Sequence, residues 1–143
     1  MQLHIVNPFK MLLGIGIDIL NIRRMRDVLE SDSDNGSFVN KVFTVKEREQ
    51  ASDHPDPVAY FAMRFAGKEA VFKCFGIDGS GIHLNEIEIR GAETEQPQVR
   101  LLGKFREIAE KKGVKDIQIS LSYDTDYAVA FAIAQGEQKR GKQ

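Results

Sequence analysis

The chain has 143 residues, 42% of them hydrophobic and 29% charged, a formal net charge of -1 and a single cysteine. That length suits one domain with a proper core. The near-zero charge excludes a globally basic nucleic-acid binder, and one cysteine excludes both an intramolecular disulfide framework and a cysteine-rich zinc site.

In chain order, "LLGIGIDI" (12–19) alternates from Leu13. Leu13, Ile15, Ile17 and Ile19 fall on one face, with Gly14, Gly16 and Asp18 on the other, which predicts a strand with a greasy side and a bare side. "NIRRMRDVLE" predicts a short helix with Ile22, Met25 and Leu29 at helical spacing and Arg23, Arg24 and Arg26 pointing elsewhere. "SDSDNGS" reads as a polar loop. Thr44 and Glu47 form a capping box that opens another helix. Asp56-Pro57 starts a long helix that runs to about Cys74 and stops near Gly76. After the loop "IDGSG", "EIEIR" and "QVRLL" read as strands separated by a polar turn. "KFREIAEKKG" is a surface helix ended by Gly113, and "IQISLS" and "YAVAFAIA" are a final pair of strands around "YDTD". The tail "GEQKRGKQ" (136–143) reads as disordered, a flexible tail. A strand, several helices, then mostly strands predict a single α+β domain. Cys74 reads as a small core residue.

No apolar run approaches the roughly 18–20 residues of a membrane span. The start "MQLHIVNPFKM" lacks the parts of a signal peptide. A cytoplasmic protein without membrane or nucleic-acid partners is expected.

Two features do not suit a plain core. On a helical wheel with Val58 at the origin, Phe61, Ala62, Phe65, Ala66 and Phe72 gather on one side together with Glu69 and Lys73, while Arg64 and Lys68 sit at the edge. Glu69 and Lys73 are then either a solvated i, i+4 pair or a pair held in the apolar stripe by further partners. Gly67, in mid-helix, suggests close approach by another backbone or a ligand. Asp18 ends the bare strand face, either as an N-cap for the next helix or as a carboxylate with open space before it. Two carboxylates from different elements suit Mg²⁺, which fills its shell with waters and phosphate oxygens. A neighbouring lysine would neutralise phosphate charge.

"GIGIDI" (14–19) followed by "RFAGKEAVFKCFG" (64–76) resembles the holo-acyl-carrier-protein synthases, the short branch of the 4'-phosphopantetheinyl transferases. The resemblance runs from Met11 to about Ala134. It implies that residues 11–135 form the transferase domain, with 1–10 an N-terminal extension ahead of it. It also implies an antiparallel sheet packed with the long central helix. By this resemblance Asp18 and Glu69 bind Mg²⁺, Lys73 contacts the coenzyme A phosphates and assists the leaving group, and Arg64 faces the nucleotide phosphates. A water held at Asp18, or Glu69 itself, takes the proton of the acceptor serine. The implied reaction moves phosphopantetheine from coenzyme A to a carrier-protein serine and releases adenosine 3',5'-bisphosphate. Arg24, with Arg23 and Arg26, would dock the acidic acyl carrier protein, and the short branch implies a homotrimer with the coenzyme A site between subunits. One position departs from the pattern: "SLSY" puts Tyr123 where the family carries a histidine that reaches the substrate. Tyrosine donates one hydrogen bond but cannot become a cation near neutrality. A coenzyme A-binding homologue with little transfer activity is therefore the alternative. His4, His54 and His83 receive no role.

Overall fold

The computed structural model describes residues 11–32, 36–91 and 96–137. The element order is β1 (Met11–Asn21), α1 (Ile22–Ser31), α2 (Ser37–Val42), α3 (Val45–Asp53), α4 (Pro57–Lys73), β2 (Ile87–Arg90), β3 (Gln98–Leu101), α5 (Gly103–Lys112), β4 (Val114–Tyr123) and β5 (Tyr127–Gly136). The strands make an antiparallel sheet in the order β1-β5-β4 and a separate antiparallel pair, β2-β3. This is the expected α+β domain. The extension 1–10, most of the turn after β2 and the end of the tail lie outside the described residues. Strand β5 runs through Gly136, one residue past the expected domain edge, and the Glu137 amide still donates to Gly113 O at 3.0 Å.

Local chain chemistry sets the helix ends. Asn21 caps α1 through its side chain, accepting from the Arg24 amide at 3.3 Å, so Asp18 is not the cap. Thr44 and Glu47 close the capping box at the start of α3. Asp56 accepts from the Ala59 amide ahead of Pro57, and α5 ends on Gly113 with φ 80°.

Helix α4 lies across the three-stranded sheet on the face of Gly14, Gly16 and the alternating Ala128, Ala130, Ala132 and Ala134, all four alanines being buried. A β-carbon at Gly14 would fall 1.9 Å from Cys74 O, and one at Gly16 1.9 Å from Ala70 O. The bare side of β1 is therefore the buried side, where main chain meets main chain. Its greasy side faces outward: Ile15, Ile17 and Ile19 are 58%, 60% and 63% exposed, and Phe131 and Tyr127 of β5 share that exposure. Gly67 is explained by side chains alone, since a β-carbon there would meet Ile89 Cδ1 at 2.4 Å with Ile119 and Leu121 close behind. Cys74 is buried as expected. Its thiol donates to Ala132 O at 3.4 Å, and burial pushes its pKa up to about 11.

Among the described residues, no helix is long and apolar enough to cross a membrane.

Candidate functional site

Wrapped by the sheet, β2 and the other helices, α4 is buried nearly all round, so its wheel does not single out one face. The fully enclosed ion pair it carries is Lys68 with Glu47, not Glu69 with Lys73. Lys68 Nζ stands 2.6 Å from Glu47 Oε1, both side chains are inaccessible, and the ammonium also donates to the carbonyls of Leu84 and Ile87. That satisfies all three of its donors. Glu47 accepts from the Thr44 amide at 2.9 Å through one oxygen and from the Ile89 amide at 2.9 Å through the other. Burial pushes Lys68 below its ordinary pKa, with the Glu47 charge acting against it. Arg64, also expected at the stripe's edge, is only 5% exposed.

Glu69 is half-buried and Lys73 exposed. Strand β1 and the last turn of α4 bring Lys73 to Asp18: Nζ stands 3.1 Å from Asp18 Oδ1 and 2.9 Å from Ile17 O, with side chains 52% and 18% exposed respectively for Lys73 and Asp18. Glu69 belongs to the same group. Its carboxyl is held above the usual range first by burial and then by the Asp18 charge, while Lys73 pulls it down. Asp18, Glu69 and Lys73 thus converge from two elements. Among the described residues no cluster of three or more His, Cys, Asp or Glu could hold a metal. The donors here are a carboxylate pair, which fits Mg²⁺ because that ion keeps waters and takes phosphate oxygens for the rest of its octahedron.

Arg64 and Tyr123 lie elsewhere, on the walls of a cavity of about 710 Å³ that Asp18, Glu69 and Lys73 do not line. Arg64 Nη2 donates to Gly91 O at 2.8 Å, and the guanidinium carbon stands 4.5 Å from the centre of the Tyr60 ring. Gln50, His54, Ser120 and Ser122 also line this cavity. Sequence reasoning missed Tyr60, Gln50 and His54. The i, i+4 spacing of Tyr60 and Arg64 was the available signal. Arg23, Arg24 and Arg26 are exposed together on α1.

A carboxylate pair, an exposed ammonium and a separate cavity are parts that many phosphate-handling proteins use, and comparison with known proteins narrows the field. The family model described as the 4'-phosphopantetheinyl transferase superfamily matches residues 14–132. The holo-[acyl-carrier-protein] synthase of Desulforudis audaxviator is 37% identical over 126 residues, spanning 88% of this chain and 95% of that one. The crystal structure of holo-ACP-synthase from Plasmodium yoelii superposes with a TM-score of 0.77 at 30% identity, covering 90% of this chain and 98% of that one. An ACPS–CoA complex from Chronobacterium ammoniagenes superposes with a TM-score of 0.73 at 25% identity, covering 88% and 98%. With the glycine–aspartate strand and the lysine–glutamate helix meeting in space as well as in sequence, the chain belongs to the 4'-phosphopantetheinyl transferase superfamily, among its holo-[acyl-carrier-protein] synthases.

Proposed function

We propose that the protein transfers the 4'-phosphopantetheine group of coenzyme A to a serine hydroxyl of an acyl carrier protein. The observation that carries this reading is the meeting of Asp18, Glu69 and Lys73 at the junction of β1 and α4. Asp18 and Glu69 are the residues that would hold Mg²⁺. When bound, that ion would polarise the attacked phosphate and stabilise the departing one.

The chain's own groups account for the rest. Transfer forms a bond from the serine oxygen to phosphorus and breaks the phosphorus–oxygen bond to adenosine 3',5'-bisphosphate. Such chemistry needs positioning and charge neutralisation more than covalent help. Lys73, more than half exposed, has the freedom to turn from Asp18 towards an incoming phosphate and offset the charge of the leaving group. The serine proton goes to Glu69 or to a water held at Asp18. Arg64 and Tyr123 bind the nucleotide portion from the cavity wall.

That cavity and the carboxylate pair are separate in one copy, which supports a homotrimer in which each site draws on two subunits. The exposed Ile15, Ile17, Ile19 and Phe131 give such an assembly an apolar surface to cover. Arg23, Arg24 and Arg26 dock the acidic carrier, and the enzyme works in the cytoplasm.

The test is incubation with coenzyme A, Mg²⁺ and apo acyl carrier protein, followed by mass spectrometry of the carrier. A phosphopantetheine adduct that disappears with chelator is the expected result. Carriers of fatty-acid and other pathways that all remain unmodified would refute the reading. Tyr123 motivates a second one, coenzyme A binding without turnover. Calorimetric binding with no adduct, and transfer restored by Tyr123→His, would favour it.

A further inference from the structure

The established family activity leaves open how Arg64 is held, and the cavity wall answers it. Arg64 lies nine-tenths buried on α4, one turn after Tyr60. Its guanidinium is fixed on two sides. Nη2 donates to the carbonyl of Gly91, whose φ of 133° is backbone that side chains rarely adopt. Its central carbon stands over the Tyr60 ring, 4.5 Å from the ring centre. Tyr60 is itself pinned, because its hydroxyl donates to Gln50 Oε1 on α3 at 3.0 Å. Arg64 Nε, by contrast, is buried with no hydrogen-bond partner among the described residues. A buried, unused donor on a fixed guanidinium is costly unless something fills it, and the side chain lines the cavity of about 710 Å³, a volume in the range of small-molecule sites.

We infer that Tyr60 is a positioning residue for substrate binding: its ring face, locked by Gln50, holds the Arg64 guanidinium ready for an anionic group of coenzyme A. This rests on the reading that Arg64 meets the nucleotide phosphates. A cation over an aromatic face is attracted by the ring's quadrupole, and the attraction strengthens where water is excluded. A guanidinium already held in place loses less freedom on binding. Burial pushes the Tyr60 phenol above its ordinary pKa, and the Arg64 charge is the strongest influence opposing that rise, as expected for groups in close contact.

The test is a steady-state series on carrier modification with wild type, Tyr60→Leu, Arg64→Gln and the double variant. For Tyr60→Leu the KM for coenzyme A rises about threefold to tenfold while kcat stays within about twofold. The double variant has the KM of Arg64→Gln alone, because Tyr60 acts through Arg64. A merely structural role would lower kcat substantially along with any rise in KM, or give additive effects, and either result overturns the inference. Should Tyr60→Leu fail to fold, Tyr60→Phe is compared with pentafluorophenylalanine at the same position. That pair keeps the ring's shape but removes the face's attraction, so equal KM values overturn the proposal. If Arg64→Gln leaves the KM unchanged, the phosphate reading of Arg64 has failed. A raised KM for Arg64→Gln with an unchanged one for Tyr60→Leu removes the inference alone.

Discussion

Helix α4 carries two lysines five residues apart, and each meets a carboxylate from another element. Lys68 and Glu47 are sealed from water, with every donor and both oxygens occupied by main chain or by each other. Lys73 and Asp18 meet at the rim, half in solvent, with one ordinary contact between them. The same chemistry is fixed into the architecture in the first case and stays open to solvent in the second. Sealing a pair costs several kcal/mol of desolvation per ion, so it persists only with full hydrogen bonding and has little room to move. A rim pair is worth about 1 kcal/mol at most and can be broken by an incoming phosphate.

The contrast breaks first at the rim. Asp18→Ala should lower the transfer rate on the order of a thousandfold while leaving the melting temperature nearly unchanged. Normal turnover in that variant would remove the carboxylate pair from the chemistry. Glu47→Ala should do the reverse, costing about 3–5 kcal/mol of stability in urea titration by stranding the Lys68 charge. A loss below about 1 kcal/mol would mean that the enclosed pair does not organise the fold. Gly16→Ala tests the platform under both pairs, since its β-carbon meets Ala70 O. It should cost about 1–3 kcal/mol, and an unaffected midpoint would show that helix and strand can separate freely. The smallest effect belongs to α1. Arg24→Glu should raise the KM for the carrier about tenfold, an increase that shrinks in high salt, with coenzyme A binding unaltered. Equal loss of both would contradict a docking role.

Most elements were legible because their signals are local. The Thr44–Glu47 box, the Asp56-Pro57 start and Gly113 each act within one turn of chain. Helix α2 was missed because its cap is not local: the Asp32 carboxylate accepts from the amides of Phe38 and Val39, six and seven residues away. Asp18 and Lys73 were legible as an odd strand end and an odd helix position. The wheel erred on Glu69, Lys73, Lys68 and Arg64 because periodicity reports a face only when a helix has a wet side. It could not show that Glu47, read as a local cap, reaches 21 residues to Lys68 and 42 to Ile89. The orientation of β1 was hidden for a related reason. A glycine face invites a helix's main chain more readily than a face of isoleucines does, and alternation alone does not say which side is covered.

The contact at Gly14 and Gly16 has one more consequence. Because carbonyl oxygens rest on bare α-carbons, the gap between strand and helix is gauged by rigid backbone and not by side chains that could swivel. The reach from Asp18 to the acid on the helix is therefore preset like the jaws of a caliper. Drift elsewhere in the interior can be absorbed without resetting that opening, whereas a single methyl wedged into it would spread both jaws at once.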